Sequence, residues 1–196
     1  MTSFNVVLFD DFETLDAFGP VEVIGNLPED YELKFFSFNG GTVISKHHVR
    51  VETLPFSSAD ASGALLIPGG MGTRRLAGDD EYLEGLRSLA ERASYVLTVC
   101  TGSGLLAKTG LLDGKRATSN KMSFEWASSN SALADWVKKA RWVRDGKFYT
   151  SSGISAGIDM ALGFVSDIHG IEKAKYIARY MEYLWNMDMD SDPFAI

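Results

Sequence analysis

Short apolar runs alternate with stretches of helical period along the whole of this 196-residue chain, and that alternation leaves few folds open. Residues 4–10 are apolar and β-branched, too short for a helix, and read as a central strand. From 15 to 26 apolar residues recur at Leu15, Phe18, Val21 and Ile24, a helical stripe. Pro20 places the start of the helix proper at Gly19-Pro20, where proline does least harm. Residues 31–38 read as a second strand, and Gly40-Gly41 opens a β excursion over 42–53 that carries His47 and His48. Ala64–Ile67 is a buried strand stopped by Pro68-Gly69-Gly70. Asp80–Arg92 is an amphipathic helix with Leu83, Leu86, Leu89 and Ala90 on one face. A strand ending at Val99 leads to Cys100 and a helix over about 102–109.

Beyond it, residues 110–118 form a turn into a short strand and 122–128 a helix. Segments 139–143 and 147–150 flank Asp145-Gly146, a two-residue hairpin signal. Ser151-Ser152-Gly153 caps a long helix over 154–168, and after Gly170 a further helix runs to about Asn186. The acidic end from Met187 reads as a tail on the surface or against a partner. The pattern predicts one α/β domain over residues 1–196, a mainly parallel central sheet flanked by helices with a small β-hairpin excursion. A single cysteine cannot form an internal bridge and suits a reducing compartment, the cytoplasm. The first residues lack the pattern of a signal peptide, and no apolar stretch approaches the ~18 residues of a membrane span. A net charge of −7 with dispersed basic residues argues against nucleic acid. The densest basic pairs, Arg74-Arg75 and Lys138-Lys139, read as solvated surface.

Cys100 stands at the corner between a strand and a small-residue helix start. At a helix N-terminus, free N–H groups and the dipole favour a thiolate, the nucleophilic form of cysteine. The local pattern alone fits a small buried hydrophobe equally well. In parallel α/β sheets ligands sit beyond the carboxyl ends of the strands, and Asp16, Gly69-Gly70 and Cys100 all follow predicted strands there. Such a set supplies a nucleophile in Cys100, a carboxyl in Asp16 to orient it or move a proton, and amides at Gly70 and Thr101 for developing charge. Glycine at 69 and 70 allows close backbone approach. A plain strand-ending turn and a helix cap remain open for the glycines and for Asp16.

The motifs Glu13-Thr-Leu-Asp-Ala-Phe-Gly-Pro-Val-Glu-Val23, Ile67-Pro-Gly-Gly-Met-Gly-Thr-Arg74, Val99-Cys-Thr-Gly-Ser103, Gly110-Leu-Leu-Asp-Gly-Lys-Arg-Ala-Thr118 and Ser151-Ser-Gly-Ile-Ser-Ala-Gly-Ile-Asp-Met160 resemble, in order, those of the ThiJ/PfpI superfamily. That superfamily belongs to the class I glutamine amidotransferase-like fold. The resemblance implies a flavodoxin-like sandwich, a cysteine at a strained elbow, and a homodimer. Aspartate in the first motif with Cys-Thr-Gly at the elbow is most similar to the isonitrile hydratase branch. The segment Ala117-Thr-Ser-Asn120 departs from that branch, which carries histidine and tryptophan there, and Thr101 departs from the histidine of the peptidase-like branch.

The expected site is therefore Cys100, Asp16 and Thr101 for chemistry, Gly69, Gly70 and Gly102 for binding substrate and its charge, with Asn120, Ser152 and Gly153 behind them. No metal or cofactor is expected, since no His/Cys/Asp spacing suggests zinc and Gly69-Gly-Met-Gly72 is not a dinucleotide fingerprint. His47 and His48 read as surface or paired, and His169 as a complement to a helix C-terminus. The resemblance implies a small electrophilic substrate, an isocyanide hydrated through a Cys100 thioimidate. A glyoxalase-type enzyme on dicarbonyls and a redox or stress sensor using the same thiol remain alternatives.

Overall fold

Strand β1 (Thr2–Val7) is buried beyond its first residue, and the sheet grows outward from it on both sides. The computed structural model describes residues 1–195. Helix α1 (Thr14–Gly25) returns the chain to β2 (Tyr31–Ser37), parallel to β1. Contrary to the sequence reading, α1 begins well before Gly19 and carries Pro20 inside it. The proline removes one helix donor and leaves the Asp16 carbonyl without its usual amide. Packing against a later helix, Ala156–His169, holds α1 together across that gap.

The β excursion is a hairpin, β3 (Asn39–Ile44) and β4 (Arg50–Pro55), joined to the main sheet by parallel pairing of β4 with β2. The chain then crosses to the other side of β1. There β5 (Ala64–Ile67), α2 (Gly72–Leu76), α3 (Asp80–Arg92), β6 (Tyr95–Val99) and α4 (Gly102–Lys108) follow in turn. All four residues of β5 are buried, as a strand covered on both faces requires. Helix α3 is set by its N-cap Asp79, whose Oδ1 accepts from the Tyr82 N–H at 3.0 Å, and by the apolar stripe seen in sequence.

Strands β7 (Arg116–Ala117) and β8 (Asp135–Trp136) make a separate two-stranded sheet, with α5 (Phe124–Ser128) between them in sequence. The hairpin of β9 (Trp142–Asp145) and β10 (Phe148–Ser151) turns through Gly146 and Lys147, one residue beyond the expected pair, with Gly146 at φ 59°. Helices α6 (Ala156–His169) and α7 (Ile171–Tyr180) close the fold; α7 ends six residues before the expected Asn186. The main sheet runs β3-β4-β2-β1-β5-β6-β10-β9, antiparallel only at its two outer pairs. On one side α1 packs on α6 and α6 on α7, while α2, α3 and α5 gather around α4. Phe164 of α6 meets Tyr95 and Tyr149 edge-to-face, with ring centroids 5.2 and 5.4 Å apart. The acidic tail is docked rather than loose: Asp192 is buried, and its N–H donates to the Lys139 carbonyl at 2.8 Å.

No helix among the described residues is long and apolar enough to cross a membrane.

Candidate active site

Strand order reverses between β1 and β5, so the loops leaving β1, β5 and β6 open into one crevice. A bridge between Phe12 and Gly70 ties the first two loops together. Asp16 enters from α1, where it is the third residue. It does not cap its own helix. Its Oδ2 instead accepts from the Gly69 N–H at 3.0 Å, and the buried carboxyl lies against the Cys100 thiol. Burial pushes the Asp16 carboxyl up to about 8; the Gly69 bond opposes this and the charge of Glu13 adds to it.

Cys100 is the elbow itself, with φ 57° in the left-handed region that residues bearing a Cβ avoid. Both of its backbone groups are held. Its N–H lies 3.2 and 3.3 Å from the carbonyls of Ser151 and Ser152, and its own carbonyl accepts from Ser119 Oγ at 2.8 Å and Ser103 Oγ at 3.0 Å. Partners on three separate segments over-determine the strained corner. Cys100→Gly should therefore be more stable than Cys100→Ala by about 1 kcal/mol, because glycine removes the left-handed penalty. Urea denaturation of the two variants measures the difference; equal stabilities would mean that the elbow relaxes.

The surroundings of the sulfur work against the thiolate that the helix-terminus argument favours. Burial pushes the Cys100 thiol up, the Asp16 charge pushes it further, and the Thr101 N–H and hydroxyl pull only weakly the other way. With just 7% of the residue exposed and a helix of seven residues behind it, desolvation outweighs the dipole. Carboxyl and thiol thus form a buried pair, each pushed towards its protonated form.

The expected amide donors are largely engaged. Gly69 N–H serves Asp16, and Gly70 N–H donates to Thr101 Oγ1 at 3.0 Å. Thr101 Oγ1 also accepts from the Thr73 hydroxyl at 3.2 Å. Gly70 (φ 128°) lies so close to the Asp11 carbonyl that a Cβ would overlap it. Gly102 is pressed in the same way on the Ile67 carbonyl, which explains its glycine without placing it in a binding role. Ser152 is buried; its carbonyl takes the Cys100 N–H and its own N–H reaches the Arg141 carbonyl at 2.8 Å. Gly153 backs onto the sulfur, where a Cβ would stand 2.9 Å from Sγ.

Above the thiol opens a cavity of about 210 Å³. Gly70, Cys100, Thr101, Asn120 and Ser123 line it, and the apolar Met71, Met122 and Ile154 join them. Asn120 is fixed by its Oδ1, which accepts from the Ser123 N–H at 3.0 Å. Asp16, Gly69, Gly102, Ser152 and Gly153 stand behind this lining rather than in it.

Three charged residues in the lining, Glu13, Lys46 and Arg74, were absent from the sequence reading of the site. Arg74 corrects an expectation: it is half-buried at the cavity, while only Arg75 is solvated surface. The available signal was its place four residues after Gly70, one helical turn beyond the glycine loop. None of the lining residues is histidine. His47 lies behind Glu13, with Nδ1 2.9 Å from Thr14 Oγ1 and 3.6 Å from Glu13 Oε1. His169 pairs with Tyr31 at the amino end of β2, away from the crevice.

Residues 3–167 match the model of the DJ-1/PfpI family. The chain is 35% identical to an isonitrile hydratase of Pseudomonas putida over 180 residues, covering 90% of this chain and 76% of that protein. It is 27% identical to a deglycase PfpI of Pyrococcus furiosus over 113 residues, 56% of this chain and 67% of that one. The fold superposes on a ThiJ/PfpI family protein from Pseudomonas syringae with a TM-score of 0.81 at 27% identity, covering 98% of this chain and 76% of the other. With nearly the whole sheet and the cysteine elbow inside the matched span, this chain belongs to the DJ-1/PfpI family.

Proposed function

We propose that this protein hydrates small isonitriles to N-substituted formamides, with Cys100 as nucleophile and Asp16 as the group that stores and returns the proton. The observation that carries this reading is the buried carboxyl–thiol pair at a small cavity whose lining holds no histidine. An isonitrile carbon needs a nucleophile and a proton at the same atom. Sulfur bonds to that carbon, Asp16 delivers a proton to it, and the carboxyl takes up the proton that the sulfur gives away. The product is a neutral thioimidate on Cys100. Water then adds to the same carbon, with Asp16 moving a proton from water to nitrogen. Cleavage of the carbon–sulfur bond restores the thiol and releases the formamide. A carboxyl pushed up to about 8 is protonated at neutral pH, as the first step requires. The Thr101 N–H and hydroxyl favour charge on the sulfur as it leaves.

The alternatives gain less support. Thiol oxidation follows thiolate character and exposure, and this thiol is buried and pushed up. Proton transfer between the adjacent carbons of a dicarbonyl would be served by a further free titratable group; Asn120 is not titratable, and Glu13 in the lining is tied to Lys46 at 3.1 Å. The test is incubation with a small alkyl isonitrile, with chromatography for the formamide and intact-mass analysis for the thioimidate. Turnover that disappears in Cys100→Ala is the expected result. Formamide production by that variant at the wild-type rate, or consumption of methylglyoxal without any isonitrile hydration, overturns the proposal.

A further inference from the structure

The three charged groups at the cavity are not equivalent. Glu13 is matched: Lys46 Nζ lies 3.1 Å from Oε2 and His47 Nδ1 3.6 Å from Oε1. Arg74 has no ion pair among the described residues. Its Nη2 donates to Ser123 Oγ at 2.9 Å, and its Nη1 to Thr73 Oγ1 at 3.1 Å and the Gly70 carbonyl at 3.4 Å, all neutral acceptors. Its guanidinium carbon lies 4.1 Å from the centre of the Trp126 ring. These contacts hold the side chain in one place without neutralising it. Burial pulls its proton affinity down, and negative charge at Cys100 would restore it. A half-buried cation without a counter-charge among the described residues, held in the same lining as the reacting sulfur, favours an anionic group there.

We infer that the substrate carries a carboxylate, for which Arg74 is the counter-ion while Cys100 meets the isonitrile carbon. The inference rests on the hydratase reading and narrows its substrate class. Because both residues line one cavity of about 210 Å³, the carboxylate must sit within a few bonds of the isonitrile, as in a short isocyano acid. With Lys46 paired to Glu13, Arg74 is the cation of this lining that has no ion pair among the described residues.

The experiment compares kcat/KM for isocyanoacetate and its uncharged methyl ester on the wild type, Arg74→Gln and Arg74→Lys. The wild type should favour the acid, and Arg74→Gln should lower the acid-to-ester ratio by about tenfold or more, with Arg74→Lys in between. An unchanged ratio in Arg74→Gln overturns the inference. A second measurement does not depend on hydration: alkylation of Cys100 by iodoacetate against iodoacetamide. The ratio of those rates should fall in Arg74→Gln and at high salt. If neither isonitrile turns over but the alkylation ratio falls, the hydratase reading fails and anion selection stands. If both are hydrated and both ratios are unmoved, the hydratase reading stands and anion selection fails.

Discussion

Asp16→Asn lowers kcat/KM for isonitrile hydration by about 10²–10⁴-fold, the range general acid–base groups command, while leaving the protein more stable at alkaline pH. Asparagine keeps the shape of the side chain and can still accept from the Gly69 N–H, but it holds no transferable proton. In the wild type, activity should fall as pH rises through about 8, where the carboxyl loses its proton. That limb should vanish in the variant. Stability moves oppositely. The folded-state value of Asp16 lies at about 8 against 3.8 for the free group, so between those pH values the native state holds a proton that the unfolded chain has released. Wild-type stability is then present at acid pH and lost as pH rises through that window. Asparagine removes this slope, and the melting temperature of the variant should exceed the wild type at pH 8 by more than at pH 5. An inactive variant with matching loss of stability would mean that Asp16 only supports the fold.

Much of this was legible in the sequence because the physics was local. The apolar stripe of α3 gives that helix the bounds it has, Asp80–Arg92, and the apolar run of β5 between glycine-bearing turns can hardly be anything but a covered strand. The position of Cys100 at a corner was equally plain, since only a turn fits between an apolar strand and Gly-Ser-Gly. What was not legible depends on partners distant in sequence. Pro20 reads as a helix start until α6 is seen against α1. Arg74 reads as solvated until Trp126 and Ser123, some fifty residues away, close around it. The push on Cys100 towards its thiol form was not legible because the dipole can be inferred from sequence, whereas the burial that opposes it cannot.

Arg141→Met should destabilise the fold by about 3–5 kcal/mol, the typical cost of leaving a buried charge without its partner. Nothing in the sequence marks this residue, but only 6% of it is exposed. Its Nε and Nη2 reach the same oxygen of the fully buried Asp159, at 2.7 and 2.6 Å, and its Nη1 lies 3.7 Å from Asp192 in the tail. Asp159 in turn takes the Asn186 N–H at 2.9 Å, so the arginine joins α6 to the segment beyond α7 and to the tail. Its carbonyl also receives the Ser152 N–H, whose own carbonyl accepts from Cys100. Removing the guanidinium leaves two buried carboxylates whose one remaining cation among the described residues is Lys121, 3.9 Å from Asp192. Burial already pushes the Asp159 carboxyl up while the arginine holds it down. Without that restraint its proton affinity rises further, so the deficit should widen as pH climbs above the ordinary carboxylate range. Adding Asp159→Asn to Arg141→Met should recover part of the loss, since a neutral amide needs no counter-charge. Urea denaturation of the single and double variants at pH 5 and pH 8 reads all of these terms. A single-variant loss below about 1 kcal/mol, the level of an exposed ion pair, would show that the tail and α6 are held by apolar packing and not by this charge.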